Sequence, residues 1–312
     1  MKVVSPFTGK ECSHVISEIA VYKIKKLYKR KMKVDVSSDF ETDSIFLIKD
    51  DVTDIEFFYP FKAGSVQFYI DLYSNWPYEI LKNEYSYSQA FINENQSILD
   101  IGCGQGNFSD FTKSARFTGL ELNPESVERG VAKKRNILME TIQNHSLENI
   151  EKYDIVTSFQ VLEHVDCPME FISSALKCLK PQGYLILSVP NNHGYKFDEI
   201  NSFSNIPPHH LSRWSLKSFL WLSSRFNLKL VDYNQDKETL RNYIRFTVLQ
   251  NLSKLFGSNE KKIIILSPLY RIFDICLNVS LHILKPLLKT DNPSISGHSI
   301  TVVLQKSDTK NV

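Results

Sequence analysis

The residues that point most clearly to ligand binding lie in one glycine-rich segment, in which Asp100 is followed by Gly102, Gly104 and Gly106. Glycines at alternate positions allow positive φ and let a ligand approach the main chain closely. A dinucleotide fingerprint would read G-x-G-x-x-G, but Asn107 stands where its third glycine belongs. Asp100 would repel a pyrophosphate and attract a cation, because its carboxylate is ionised at neutral pH. The segment therefore indicates a nucleoside ligand with a positively charged tail.

A second acidic residue, Glu121, follows about twenty residues later, at the end of the next apolar run. In nucleotide-binding α/β folds, an acidic side chain at this point accepts hydrogen bonds from ribose hydroxyls. Taken alone, Asp100 could cap a turn at a strand end, and Glu121 could be an exposed carboxylate. Neither alternative explains the ordered set of glycines and acids, so we predict a nucleoside site.

These residues need a framework that brings their chain segments together. The centre of the chain alternates apolar runs, typical of buried strands, with stretches typical of helices. Because strands that alternate with helices form crossover units, we expect an α/β fold with a mainly parallel sheet. The predicted strands cover residues 97–101, 117–122, 153–159 and 183–190, and the predicted helices cover residues 124–135 and 168–179.

The C-terminal part adds two strand patterns, at residues 227–233 and 298–305, separated by a helical insertion at about residues 240–296. One helix of the insertion has a narrow polar stripe on an otherwise apolar surface. Such a helix could pack over the core or form a dimer contact, or residues 263–288 could make a peripheral membrane contact. The stripe consists of Arg271, Asp274, Asn278, His282 and Lys285.

Four ordered motifs resemble those of one enzyme family. They read ILDIGCGQGNF, GLELNPESV, YDIVTSFQVLEHVDCP and LKPQGYLILSVPNN, and they resemble the successive motifs of class I S-adenosylmethionine-dependent methyltransferases. The resemblance covers about residues 95–226, with a final strand at residues 299–304. It implies a Rossmann-like seven-stranded sheet flanked by helices, with the last strand antiparallel. The cofactor that it implies is S-adenosyl-L-methionine.

The resemblance also implies roles for single residues. Asp100 and the glycine turn would hold the methionine part of the cofactor, and Glu121 would bind the ribose. The adenine contact falls in residues 144–147, where many relatives carry an aspartate that this chain lacks. Leu122 is expected beside the adenine, and Phe159 and Gln160 at the sulfonium end. The predicted cofactor-binding residues are Asp100, Gly102, Gly104, Gly106, Glu121, Leu122, Ser146, Leu147, Phe159 and Gln160.

Three histidines are the candidates for catalysis, since the pKa of histidine suits a general base near neutral pH. His164 follows the fourth strand, at the edge where open α/β sheets bind ligands. His209 and His210 lie in a proline-rich loop that resembles a loop beside the acceptor pocket in a subset of the family. Each histidine could instead have a structural role. No metal site is expected, because no carboxylate or cysteine has ligand spacing nearby.

Residues 1–94 read as a separate N-terminal module before a methyltransferase domain at residues 95–312. An aromatic run at residues 57–60 resembles the end of the small ribbon that precedes the cofactor domain in polysaccharide- and secondary-metabolite-associated methyltransferases. Paired cysteines are absent, so a zinc ribbon cannot form and apolar packing must hold the module together. Its aromatic residues could wall the acceptor pocket or form a core. The basic stretch at residues 23–33 favours a solvated helix face over phosphate or membrane contact.

Composition narrows the functional class. The net charge of +2 over 312 residues is too balanced for a protein that binds nucleic-acid phosphates along a basic face. The five cysteines form no C-x-x-C pair and no signal-peptide pattern opens the chain, so we expect a cytoplasmic protein. We predict a methyltransferase for a small-molecule or carbohydrate-type acceptor. The alternatives are a methyltransferase for a lipid-linked or quinone-like acceptor and a non-catalytic cofactor-binding scaffold.

Overall fold

The structure is a computed structural model that describes residues 2–75, 83–112, 116–192, 194, 202–254, 264–284 and 291–308. The chain forms two compact units, each assembled from segments that are distant in sequence. The first unit comprises Met1–Tyr78, Pro190–Ser215 and Gln235–Ser299, and the second comprises Glu79–Val189, Leu216–Asn234 and Ile300–Val312. These units divide the chain differently from the boundary at residue 94, which stays a prediction.

The elements of the described residues are numbered in chain order. The strands are β1 (Val3–Val4), β2 (Glu11–Cys12), β3 (His14–Ala20), β4 (Ser44–Asp50), β5 (Ile55–Tyr59), β6 (Ser97–Ile101), β7 (Arg116–Leu120), β8 (Ile137–Leu138), β9 (Tyr153–Phe159), β10 (Leu179–Pro190), β11 (Ser212–Arg213), β12 (Leu228–Thr239) and β13 (Asp291–Lys306). The helices are α1 (Val21–Met32), α2 (Val66–Asn75), α3 (Asn83–Ser88), α4 (Pro124–Ala132), α5 (Ile142–Glu148), α6 (Pro168–Cys178), α7 (Leu216–Arg225), α8 (Leu240–Lys254) and α9 (Pro268–Ile283).

Seven strands form a mixed sheet in the order β12-β13-β10-β9-β6-β7-β8. The five strands from β10 to β8 in this order are parallel to one another, and the last strand, β13, is antiparallel. The predicted Rossmann-like sheet is confirmed, and α8 and α9 lie between β12 and β13 in sequence, as expected for the helical insertion. Because parallel strands end at one edge, the segments that follow β6, β7, β8 and β9 all begin at the same edge of the sheet.

Apolar burial explains why these segments become central strands. All five residues of β6 are buried, as expected for a parallel strand covered on both faces. Ile98, Ile155 and Ile186, from three adjacent strands, belong to one core cluster with Phe108 and Val303. Burying each large apolar side chain contributes about 1.5–3 kcal/mol, so this cluster fixes the strands that carry the glycine-rich turn.

One element boundary near this turn differs from prediction. A short 3-10 helix, Asn107–Phe111, follows the turn. The Arg135 guanidinium donates to the side chains of Asn107 and Asp110, at 2.7 and 2.6 Å, and these contacts hold the short helix in place. β7 ends at Leu120, one residue before Glu121, so this carboxylate lies in the loop beyond the strand.

In the first unit, four strands form an antiparallel sheet in the order β11-β5-β4-β3. Helix α1 (Val21–Met32) buries one apolar side, which includes Ile24, Leu27 and Tyr28, in a core cluster with β4 and β5 residues such as Phe58. Its lysines lie on the remaining, more exposed surface. The basic stretch therefore forms the solvated helix face that the sequence favours.

The Asp154 carboxylate of β9 ties together the beginnings of three strands. It accepts hydrogen bonds from the Ser97 amide and hydroxyl, at 2.8 and 2.6 Å, and from Lys180 at 2.8 Å. Burial would raise the pKa of this carboxyl, but the hydrogen bonds outweigh burial and lower the pKa from 3.8 to about 2. A lowered pKa in the folded state stabilises the fold above pH 4, and this contribution is lost as pH falls toward 2.

We expect Asp154→Ala to lower the free energy of unfolding by about 2 kcal/mol at neutral pH. The difference from the wild type should shrink between pH 4 and pH 2, as measured by urea denaturation at each pH. Asp110→Ala is the control, because Asp110 also pairs with a basic residue, Arg135, but is 63% exposed, and such exposed pairs contribute under about 1 kcal/mol. A pH-independent difference would contradict the assigned role of Asp154.

Candidate functional site

The turn after β6, here called the glycine loop (residues 102–106), has positive φ at Gly102, Gly104 and Gly106, with values of 69°, 55° and 76°. The amides of its first two residues both donate to the Leu120 carbonyl oxygen, at 2.8 and 3.0 Å. These bonds fasten the loop to the end of β7. Side chains other than glycine adopt this left-handed conformation only with strain, which explains the glycine spacing seen in the sequence.

The three glycines of the loop differ in what surrounds them. A Cβ built at Gly102 would lie 2.4 Å from the Val161 side chain, and one at Gly106 would lie 3.1 Å from the Ile137 side chain. A Cβ at Gly104 would meet no atom within 4 Å. Gly102 and Gly106 are therefore required by packing, whereas Gly104 faces open space, where a ligand can approach the backbone.

The Glu121 carboxylate holds the glycine loop against the end of β7. One of its oxygens accepts the Gly104 amide at 2.9 Å, and the other accepts the Leu122 and Asn123 amides, both at 2.8 Å. The two predicted elements of the nucleoside site, the loop and the acidic strand end, are thus joined directly. Each carboxylate oxygen has more than one lone-pair direction, so this group can also accept from a ligand hydroxyl.

Asp100 is 1% exposed and accepts a hydrogen bond from the Thr157 hydroxyl of β9 at 2.8 Å. Burial raises the pKa of the neighbouring Cys103 thiol, and the negative charges of Asp100 and Glu121 raise it further. The thiol stays protonated, and its environment is anionic. This is the electrostatic setting predicted for a ligand with a cationic tail.

The residues fit S-adenosylmethionine, the cofactor that the sequence resemblance implies. Its nucleoside needs a hydroxyl acceptor, which Glu121 supplies, and its cationic tail needs an anionic environment, which Asp100 and Glu121 create. Its approach to the backbone needs a position without side-chain bulk, and a Cβ at Gly104 would fill that space. The assignment of these residues to the cofactor stays a prediction.

Phe159 and Gln160 follow the same sheet edge at the end of β9. Phe159 is buried, with its ring centroid 4.7 Å from that of Phe108. The Gln160 side-chain amide donates to Glu84 at 2.8 Å and to Ser188 at 3.2 Å. No sequence pattern pointed to Glu84, a buried carboxylate on α3 that fixes the position of Gln160. The one sequence signal for Glu84 is weak: this residue lies in a polar stretch before β6.

The expected adenine-contacting residues differ in exposure. Ser146 is 2% exposed and its hydroxyl donates to the Gln143 carbonyl within α5, at 2.8 Å, whereas Leu147 is 71% exposed. Leu122 is also exposed, directly after Glu121. Met139 is a further exposed apolar residue at the end of β8, at the same edge as the glycine loop. Sequence patterns missed Met139, because β8 has only two residues and shows no strand signal.

His209 and His210 are buried in the first unit, with their ring centroids 4.8 Å apart in a stacked arrangement. Both of their amides donate to the Ile206 carbonyl oxygen, at 3.2 and 3.3 Å. The His209 ring packs against Phe68 and Tyr69. The proline-rich loop thus forms a tight turn that holds both rings side by side.

His164 belongs to the second unit and ends the 3-10 helix Leu162–His164, five residues after the end of β9. Its ring is largely buried, and its Nε2 lies 3.6 Å from the buried Glu163 carboxylate. This distance is longer than a hydrogen bond. His164 is therefore a histidine beside a buried carboxylate near the carboxyl edge of the sheet. Its catalytic role, like those of His209 and His210, stays a prediction.

Comparison with known proteins agrees with the motifs. A family model described as "Methyltransferase domain" matches residues 78–233, which is half of the chain. A ubiquinone biosynthesis O-methyltransferase of Proteus mirabilis is 32% identical over 108 residues, covering 31% of this chain and 43% of that protein. The enzyme of the same name from Vibrio vulnificus strain YJ016 is 31% identical over 121 residues, covering 36% of this chain and 52% of that protein.

Among solved structures, a SAM-dependent methyltransferase from Archaeoglobus fulgidus is 16% identical, with a TM-score of 0.43. The match covers 71% of this chain and 94% of that one. The chain spans about half the length of the curated relatives that it matches. The segment matched by the family model, residues 78–233, includes the glycine loop.

Proposed function

Since the chain belongs to the class I S-adenosylmethionine-dependent methyltransferases, we propose that it transfers a methyl group from S-adenosylmethionine to a small-molecule acceptor. The observation that carries the proposal is the hydrogen bond between the Glu121 carboxylate and the Gly104 amide. It joins an acidic strand end to the one loop glycine whose Cβ position is open. A nucleoside bound there could donate its ribose hydroxyls to the Glu121 carboxylate and could also contact the Gly104 backbone.

Each part of this arrangement has a separate task. When bound, S-adenosylmethionine supplies an electrophilic methyl group on its sulfonium sulfur. Asp100 provides negative charge for the ammonium group of the methionine part, and Glu121 accepts the ribose hydroxyls. The glycine loop presents backbone amides without side-chain bulk, and Glu84 orients Gln160 at the neighbouring strand end. The protein thereby positions the reactive group, which is its main contribution to an in-line displacement.

For the acceptor, a quinone-like or lipid-linked phenol is the candidate with most support. The two relatives described above, which cover about a third of this chain, are ubiquinone biosynthesis O-methyltransferases. The α9 helix also exposes a largely apolar surface, which suits a protein that meets apolar molecules. The carbohydrate-type acceptor expected from the sequence has no such support among the described residues.

A hydroxyl acceptor loses its proton during methyl transfer, and His164, His209 and His210 are the proposed residues to receive it. His164 is the one nearest in sequence to the carboxyl end of β9, where Gln160 lies. The turn that holds His209 and His210 is closed by backbone hydrogen bonds to the Ile206 carbonyl oxygen. Asparagine at either position keeps the backbone amide that closes the turn.

The proposal predicts that the chain releases S-adenosylhomocysteine when it is incubated with S-adenosylmethionine and a catechol with an isoprenoid tail. Nucleotide sugars tested in parallel should give no release above background, as measured by mass spectrometry of the products. His164→Asn, His209→Asn or His210→Asn should lower kcat by about 100-fold or more for the residue that acts as the base, with unchanged cofactor binding.

Release of S-adenosylhomocysteine with nucleotide sugars but not with the catechol would favour the carbohydrate-type acceptor. Tight binding of S-adenosylhomocysteine without turnover of any acceptor would favour the non-catalytic scaffold instead. Full activity in all three histidine variants would show that the acceptor needs no histidine base.

A further inference from the structure

Helix α9 (Pro268–Ile283) turns an apolar surface outward. Its exposed large apolar residues recur at spacings of three or four, with one more beside them, and so follow one side of the helix. Their exposed fractions range from 49% to 72%. Single exposed apolar residues are ordinary, but a continuous row along four turns marks an interaction surface. We call this row the α9 face, and it consists of Leu269, Ile272, Phe273, Ile275, Val279 and Ile283.

The polar residues of α9 that the sequence grouped into a stripe partly face inward. Asp274 accepts a hydrogen bond from the Arg245 guanidinium of α8 at 2.7 Å, and Asn278 donates to Asp274 at 3.3 Å. On the same side, Arg241 of α8 donates to the Leu281 carbonyl oxygen at 3.3 Å. The polar contacts of α9 are thus used to bind α8, and this arrangement leaves the apolar row to the outside. Lys285, the last member of the stripe, lies outside the described residues.

The charge of the outer surface is one-sided. Among the described residues of α9, the exposed basic side chains are Arg271 and His282, and no aspartate or glutamate is exposed. The acidic residue of the helix, Asp274, is held inward by Arg245. An apolar row accompanied by basic groups, with the acid withdrawn, is complementary to a lipid surface that carries anionic headgroups.

We propose that the α9 face binds the surface of a membrane containing anionic lipids, with the helix axis parallel to the bilayer. In the described part of the chain, no helix is long and apolar enough to cross a membrane. With 16 residues, α9 is about 24 Å long, less than the roughly 30 Å of a bilayer core, and its inward polar side could not face lipid. The α9 face belongs to the first unit and the glycine loop to the second, and membrane binding does not rest on the proposed methyl transfer.

Co-sedimentation of the full chain with vesicles tests the proposal. We expect binding to vesicles of phosphatidylcholine and phosphatidylglycerol, and at least tenfold weaker binding to phosphatidylcholine alone. Exchanging two residues of the α9 face for aspartate, Ile272→Asp with Phe273→Asp, should weaken binding to the anionic vesicles at least tenfold, because both side chains must leave the lipid. Leu220→Asp, at a 49% exposed position on α7, is the control and should bind like the wild type.

The melting temperature and S-adenosylhomocysteine binding of each variant should match the wild type, so that a loss of vesicle binding is separated from misfolding and from a failure of the proposed function. Equal binding of the double variant and the control would overturn the proposal. So would equal binding to neutral and anionic vesicles. A third outcome would also overturn the proposal: the wild type binds no vesicles and forms dimers in light scattering, whereas the double variant is monomeric. This result would show that the α9 face binds a second copy of the chain instead.

Discussion

Gly104→Ala is expected to weaken S-adenosylhomocysteine binding by about 100-fold, equivalent to about 3 kcal/mol. The new methyl group would project into the open space beside the glycine loop, where no protein atom lies within 4 Å. The folded chain can therefore accommodate it sterically, but a ligand that approaches the Gly104 backbone cannot. The positive φ of 55° adds backbone strain of about 1 kcal/mol, which lowers stability without removing the fold. Calorimetric titration measures the loss of affinity.

Gly9→Ala is the matched control for this prediction. Gly9 has a φ of 67°, its Cβ would also meet no atom within 4 Å, and it lies in the first unit. This variant should show a similar small loss of stability and wild-type affinity for S-adenosylhomocysteine. If Gly104→Ala bound the ligand as tightly as Gly9→Ala, the open side of the glycine loop would not be the cofactor site.

Glu121→Ala should lower the affinity for S-adenosylhomocysteine at least 100-fold, by two routes. It removes the acceptor of the ribose hydroxyls, and hydrogen bonds to a charged group contribute about 1.5–3 kcal/mol each. It also removes the partner of the Gly104 amide, which holds the glycine loop at the end of β7. Glu121→Gln keeps one carbonyl oxygen but replaces the other oxygen by an amide group facing N–H donors, so its affinity should fall between those of the wild type and the alanine variant.

Glu125→Ala serves as the control for Glu121, because Glu125 lies four residues further on, is exposed and pairs with Arg129 on the surface of α4. It should change neither the affinity nor, by more than about 1 kcal/mol, the stability. Wild-type affinity in Glu121→Ala would remove the acidic strand end from the cofactor site and leave the ribose to another group.

The sheet could be predicted because its strands are short, apolar and buried on both faces. The run at residues 153–159 is the strand β9 with the predicted ends, and the proline at position 168 opens α6 as expected. The left-handed backbone of the glycine loop and the place of Glu121 at the end of β7 could be predicted, because they follow from glycine spacing and from the length of an apolar run. For such residues, the spacing along the sequence is enough to predict the local backbone position.

Other features depend on contacts between segments that are far apart in the chain. Glu84 acquires its role only because folding brings it to Gln160, 76 residues away in sequence. The outward turn of the α9 face follows from the packing of Tyr270 in a cluster with Leu249 of α8 and from the ion pair between Arg245 and Asp274, which periodicity within one helix cannot reveal. Met139 follows a two-residue strand that exists because it pairs with β7. None of these constraints is encoded in a local pattern.

The measurement that tests the central claim most directly is calorimetric titration of S-adenosylhomocysteine into the wild-type chain. Binding at one site per chain, with a micromolar Kd, is the predicted result, and it supplies the reference for the Gly104 and Glu121 variants. A folded chain that binds no S-adenosylhomocysteine would contradict the account, because the glycine loop, Asp100 and Glu121 would then have no cofactor to hold.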